Sequence, residues 1–208
     1  MMHVMTPLFI VLDGPDASGT STHAELLAER LRSEGHEVLL TAEPTDGPMG
    51  KKIRDFLRAP QAGMPALQLD PMELQLLFTA DREWHVKNVI APALNAGKIV
   101  ICDRYWHSTI IYAEAHGLDS TKLKKMNNKF IQPDVVIFTL PPVEVSLERL
   151  RERASTEIFE REDIQRKIHD GYENMAKEDP SIAVIDTSGE KEAVGKKVWD
   201  IVQQALSH

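Results

Sequence analysis

Cysteine is nearly missing from this sequence: Cys102 is the only one in 208 residues. No disulfide can form within the chain, and the expected setting is reducing and cytoplasmic. Long apolar runs are missing too. None approaches the roughly 20 residues that span a bilayer, so no membrane partner is expected. Met1–Pro7 holds no basic region followed by an apolar stretch, so no leader peptide is expected. Positive charge is scarce: 24 Lys and Arg stand against 32 Asp and Glu, a net charge of −8. A chain that tracks a nucleic-acid backbone carries a basic stripe, so no nucleic-acid partner is expected. A few well-placed arginines can still hold a small phosphorylated ligand inside an acidic protein. Internal repeats, low-complexity tracts and long linkers are absent, and the eight histidines show no metal-ligand spacing.

What is present is ordinary for a globular chain, with 42% hydrophobic and 27% charged residues. The length suits one domain, residues 1–208, with a sizeable core. Short apolar runs alternate with longer amphipathic segments. Strands are expected at Leu8–Asp13, Glu37–Ala42, Lys98–Asp103, within Pro133–Leu140 and at Ile182–Asp186. Helices are expected at Ser21–Glu34, Pro48–Leu57, Pro71–Arg82, Trp84–Asn95, Tyr105–His116, Ser120–Phe130, Val143–Arg153, Glu162–Lys177 and Glu190–Leu206. Gly35 and Gly97 punctuate two of the helix ends. Ala59–Leu69, with Pro60, Gly63 and Pro65, reads as a loop. The alternation predicts an α/β fold with a five-stranded parallel sheet covered on both faces. Binding loops then lie beyond the carboxyl ends of the strands.

The first strand runs directly into Gly14-Pro15-Asp16-Ala17-Ser18-Gly19-Thr20-Ser21-Thr22. Gly14 and Gly19 have the spacing of the phosphate-binding loop G-x-x-x-x-G-K-[ST], between a strand and a helix as that loop requires. Ser21 takes its metal-ligand position. Glycines let the backbone approach, and the amides with the helix N-terminus cradle phosphate oxygens. Thr20 stands where the pattern has lysine. A charge pair at 4 Å is worth roughly 4 kcal/mol at an effective dielectric of 20. Left uncompensated, that is about a thousandfold in rate.

Further candidates follow along the chain. Glu43-Pro44-Thr45 leaves the second strand, and Ala80-Asp81-Arg82 lies in a helix. Asp103-Arg104-Tyr105 closes the third strand, where a carboxylate can serve a metal and an arginine can grip a phosphate. Arg149, Arg151, Arg153 and Arg161 surround the polar segment Ala154–Glu157. They suit a mobile arginine-bearing flap at about residues 150–160, or equally a charged helix with i,i+4 pairs to Glu148 and Glu152.

Taken in order, these segments resemble the thymidylate kinases, a family of P-loop nucleoside monophosphate kinases. The stretch Leu77–Tyr105, LFTADREWHVKNVIAPALNAGKIVICDRY, is similar to that family nearly throughout. So are the phosphate loop, Glu43–Arg54, Ser108–Tyr112 and Phe159–Tyr172. The resemblance implies the three-layer P-loop fold with a flap. It also implies ATP as donor, dTMP as acceptor, Mg2+ and usually a homodimer. It implies that Gly14, Asp16, Ala17, Ser18, Gly19, Thr20, Ser21, Thr22 and Arg149 serve ATP. Asp16 would meet the sugar 3′-hydroxyl, Arg82 the thymine and Arg104 the acceptor phosphate. Thr109 would face the base, and Tyr112 would crowd the sugar 2′ position. Glu43 would border the acceptor, Ser21 and Asp103 would serve the metal, and Arg153 the transferring group.

Three positive charges that relatives often use are absent, at Thr20, Ala42 and Ile158. Arg151 or Arg153, Lys51 or Lys52, or the Thr20 hydroxyl with a tighter metal are the alternatives for replacing the lysine. Two other functions stay open at this point. In a nucleoside kinase, Glu43 would be the base for a 5′-hydroxyl. The other is a nucleotide-binding protein that has lost catalysis.

Overall fold

The computed structural model describes residues 7–58, 70–153 and 162–207. Strands β1 (Leu8–Asp13), β2 (Val38–Ala42), β3 (Ile99–Asp103), β4 (Val135–Thr139) and β5 (Ala183–Ile185) form one sheet in the order β2-β3-β1-β4-β5, parallel throughout. All five strands thus end on one side, with β1 flanked by β3 and β4. Helices α1 (Thr20–Ser33), α2 (Pro48–Arg58), α3 (Pro71–His85), α4 (Ala91–Asn95), α5 (Trp106–Ala115), α6 (Thr121–Asn127), α7 (Val143–Arg153), α8 (Glu162–Glu178) and α9 (Lys191–Leu206) supply the rest.

The two-residue period of a strand divides β1 between two cores. Leu8, Ile10 and Leu12 pack with α1 and α9 through Ala24, Leu27, Leu31, Val198 and Val202. Phe9 and Val11 face the other way, onto Ile90, Ala93, Val100 and Tyr105. A third cluster, with Phe138, Ile168 and Tyr172, joins β4 to α8. Helices therefore cover both faces, which makes the three layers expected of a P-loop fold. Burying both faces explains why β1 is apolar almost end to end. Only Asp13 breaks the run, at the end that feeds the phosphate loop.

Element boundaries follow the sequence closely, with two corrections. Pro71–Asn95 is one helical run, not two. Asp70 caps its start in a capping box with Glu73, and Pro71 takes the first turn, where no N–H is needed. A π-helical segment, Val86–Ile90, joins α3 to α4 without a break in helical dihedrals. The last turn of the expected Ser120–Phe130 helix is missing, since α6 stops at Asn127. Gly35 closes α1 as expected: at φ 90° it lets the His36 amide reach back to the Leu31 carbonyl at 3.1 Å. The expected loop Ala59–Leu69 lies outside the described residues. So do Ile158, Arg161, the segment Ala154–Glu157 and most of the flap.

Candidate active site

The phosphate loop joins β1 to α1 in an uneven backbone. Ala17 (φ 60°) and Gly19 (φ 91°) are left-handed on either side of Ser18. Such alternation turns successive amides to one side and makes an anion-binding hollow. The amides of Gly19, Thr20 and Ser21 have no acceptor among the described residues, as expected at a helix start. Thr22 continues α1, half-buried.

Ser18 is fixed from beneath. Its hydroxyl lies 2.8 Å from the Thr139 hydroxyl and 3.0 Å from that of Thr20, and Thr20 and Thr139 are 2.9 Å apart. All three residues are buried. The Ser18 carbonyl accepts from the Thr187 hydroxyl. Gly14 sits against the same ring, since a Cβ there would lie 2.5 Å from both Ser18 Oγ and Thr139 Oγ1. So the hydroxyl at the lysine position is committed to holding the loop. The alternative in which it helps a metal directly has no support in this geometry.

At the end of β3, Asp103 Oδ2 accepts from the Ser21 hydroxyl, while its Oδ1 is buried with no partner among the described residues. Burial raises the carboxyl above its ordinary value; the Ser21 hydrogen bond and Arg104 oppose that rise. A buried carboxylate oxygen with no donor, beside a hydroxyl, suits an oxygen-seeking divalent cation.

Arg104 has a positive φ of 68°, uncommon for a side chain of its size. That backbone turns the guanidinium across the phosphate loop. Nη1 donates to the Gly14 carbonyl at 2.7 Å and to Ser108 Oγ at 3.1 Å, and Nη2 donates to Asp16 Oδ1 at 2.8 Å. Asp16 Oδ1 also accepts from the Tyr112 hydroxyl at 2.9 Å, and Oδ2 from Gln165 at 3.1 Å. Asp16, Arg104 and Tyr112 are thus brought together. Burial first, with Asp16 as acceptor, raises the Tyr112 phenol, so it stays neutral.

Arg82 occupies a separate, buried cluster. Its Nη2 donates to Glu43 Oε2 at 2.6 Å and Thr109 Oγ1 at 3.1 Å, and Nη1 donates to Asn127 Oδ1 at 2.6 Å. Its Nε has no partner among the described residues, and the guanidinium lies 5.0 Å from the Tyr105 ring centroid. The other Glu43 oxygen accepts from His85 Nδ1 at 3.0 Å, and His85 Nε2 is 2.7 Å from the Thr41 hydroxyl. Glu43 is thus the counter-ion of Arg82, and a contact with a substrate would be made alongside these two bonds. Nearby, Asp81 accepts from the Thr45 amide and hydroxyl, both at 2.7 Å, which pins the turn after β2.

Arg149 reaches the loop from α7. Its Nη2 donates to the Thr187 carbonyl at 2.9 Å, and Nη1 lies 3.5 Å from the Ala17 carbonyl. Among the proposed replacements for the lysine, Arg151 is paired with Glu162 at 2.8 Å, and Lys51 and Lys52 are exposed on α2. Arg153 ends α7, and its side chain lies outside the described residues.

Asp13, Thr139, Asn127 and Gln165 are not among the residues the sequence singles out. Asp13 is fully buried and accepts from the amides of Gly14, Tyr105 and Ser108 and the hydroxyls of Ser108 and Tyr172. It ties β1, α5 and α8 together beneath the site. The signal was there: a carboxylate closing an apolar strand, next to the first loop glycine.

The comparisons with known proteins agree with one another. The family model described as "Thymidylate kinase" matches residues 12–198. The chain is 38% identical over 203 residues to a "Probable thymidylate kinase" of Pyrococcus horikoshii, covering 97% of this chain and 98% of that one. It is 36% identical over 204 residues to a "Thymidylate kinase" of Synechococcus sp., covering 96% of each. With a "Thymidylate kinase" of Thermomicrobium roseum it shares 38% identity over 206 residues and 95% of each chain.

Proposed function

The chain belongs to the thymidylate kinase family, and from that premise we propose that it transfers the γ-phosphate of ATP to dTMP, giving dTDP and ADP. The observation that carries the reading is the placing of Arg104. A guanidinium held over the phosphate loop by Gly14, Ser108 and Asp16 stands where an acceptor phosphate must approach a donor bound by that loop.

The acceptor needs no general base. The second pKa of a phosphate monoester is about 6, so its oxygens are ionised at neutral pH. The protein's work is positioning and charge stabilisation. The loop amides and the N-terminus of α1 hold the donor phosphates. Arg104 grips the acceptor phosphate, exchanging its bonds to the loop carbonyl and carboxylate for phosphate oxygens. Asp16 and Tyr112, freed of the guanidinium, face the sugar. Arg82 and Thr109 line the base side, with Glu43 and Asn127 holding the guanidinium plane. Arg149, beside Thr187, serves the donor nucleotide, and Arg153 the transferring phosphoryl group.

Mg2+ fits the Ser21–Asp103 pair through the unpartnered Asp103 oxygen. When bound there it would neutralise donor phosphate charge. We read residues 1–208 as one kinase domain that acts in the cytoplasm as a homodimer without nucleic acid; sedimentation at assay concentrations tests the dimer.

The nucleoside-kinase reading is not favoured. Glu43 would have to be free to accept a proton from a 5′-hydroxyl, yet both its oxygens are taken by Arg82 and His85. Incubation with ATP, Mg2+ and dTMP, followed by chromatography, tests the proposal. Equal yields of ADP and dTDP support it. Nucleotide binding without either product would favour a protein that has lost catalysis.

A further inference from the structure

The hydroxyl ring of Ser18, Thr20 and Thr139 includes one residue, Thr139, with no part in the roles given so far. The ring lies at the one position where this loop departs from the lysine pattern. Two of its members belong to the loop, and the third ends β4, a strand that pairs with β1 through Asp13 and Phe138. Ser18 sits between the two left-handed residues, Ala17 and Gly19, whose backbone turns the amides toward a phosphate. A left-handed alanine persists only when its surroundings hold it. Here the Ser18 hydroxyl is held by Thr139 and Thr20, and the Ser18 carbonyl by Thr187. The Thr139 hydroxyl also lies 3.3 Å from the Asp13 carbonyl, just before the loop.

We propose that Thr139 is a positioning residue for the phosphate donor: through Ser18 and Thr20 it holds the phosphate loop in its anion-binding conformation. The inference deepens the kinase reading and rests on it for the identity of the donor. It does not need the acceptor to be dTMP. In a loop without lysine, the amides carry more of the phosphate's charge. Their pre-set direction then matters more to affinity. Thr139 touches no ligand in this account and acts only through the ring.

Calorimetric titration of the full chain with ADP and, separately, dTMP tests the proposal. Thr139→Val removes the hydroxyl at constant shape. It is expected to weaken ADP binding by about tenfold, the scale of a buried hydrogen bond or two, and to leave dTMP binding unchanged. Thr139→Ser keeps a hydroxyl and is expected to bind ADP as the wild type does. Ser18→Ala, which leaves β4 intact, should reproduce the Val effect if Thr139→Val fails to fold. Wild-type ADP affinity in Thr139→Val or Ser18→Ala overturns the proposal. So does an equal loss of ADP and dTMP affinity, or a Thr139→Ser variant as weak as Val. If the wild type binds ADP but phosphorylates nothing, the kinase reading fails, while the ADP titrations still decide the role of Thr139.

Discussion

Arg104 Nη2 lies 2.8 Å from Asp16 Oδ1, so the end of the third strand and the phosphate loop are joined by an ion pair. The same guanidinium donates to the Gly14 carbonyl and to Ser108. A lysine cannot serve these three acceptors in one plane. Arg104→Lys is expected to lower kcat/KM for dTMP by about a hundredfold, and Arg104→Ala to abolish transfer. Steady-state kinetics with dTMP varied check this. Substantial turnover by the alanine variant removes Arg104 from the mechanism.

Restoring the lysine should not help. Thr20 is buried with its hydroxyl in the ring with Ser18 and Thr139, and a lysine there would break the ring and press on β4. Thr20→Lys is expected to lower kcat/KM for ATP by about tenfold. A gain of activity would mean that the loop is held without the ring and lacks only charge.

The fold and the site differ in how far the sequence reveals them. The alternation of strand and helix was legible because fully buried strands are apolar runs and covering helices are amphipathic. The order β2-β3-β1-β4-β5 was not, because the buried strands β1, β3 and β4 are apolar runs alike, and the part-exposed β2 and β5 differ little from them in sequence. The π segment at Val86–Ile90 has no local marker at all. In the site, glycine spacing and Asp103-Arg104-Tyr105 pointed to the loop and its arginine. The pairing of Glu43 with Arg82 was not legible, because a charged residue after a strand looks alike whether it meets a ligand or a buried guanidinium. Thr139 is one hydroxyl at the end of an apolar strand, and only the fold brings it to Ser18, which lies 121 positions away.

Glu43 anchors Arg82 where neither side chain meets solvent. Removing one charge of a buried pair leaves the other uncompensated, at a cost on the order of 3 kcal/mol. Glu43→Gln is therefore expected to lower unfolding stability by that amount in urea titration and to weaken dTMP more than ATP. Unchanged stability would contradict the pairing. Thymidine phosphorylation by the wild type, lost in this variant, would restore the nucleoside-kinase reading.

Asp103 is raised chiefly by burial, and a cation binds only its ionised form. Activity should thus fall on the acid side at a pH above the ordinary carboxylate value. Raising Mg2+ should shift that limb to lower pH. Rate profiles at two Mg2+ concentrations check this, and a limb that does not move argues against Asp103 at the metal. Asp103→Asn should raise the Mg2+ concentration needed for half-maximal rate.

His107 is buried, stacked on Trp106, and lowered to about 4, first by burial, with Arg82 adding to the effect and Asp13 and Asp179 opposing it. In the unfolded chain a histidine titrates near 6.5. Between those values the unfolded state binds a proton that the native state refuses. Stability is whole above about 6.5 and falls as the pH drops toward 4, by on the order of 3 kcal/mol from this group. His107→Phe keeps the stacking and should flatten the fall. Urea midpoints from pH 7.5 to 4.5 for both proteins measure it, and parallel curves would contradict the assignment.

The central claim is transfer from ATP to a deoxyribonucleoside monophosphate by a loop without lysine. It is tested most directly by giving the enzyme γ-labelled ATP, Mg2+ and, in parallel, dTMP, dUMP, UMP or thymidine. The account predicts label in dTDP, with little in products of UMP or thymidine. Label in thymidine's product alone, or in none while ADP still binds, would contradict it.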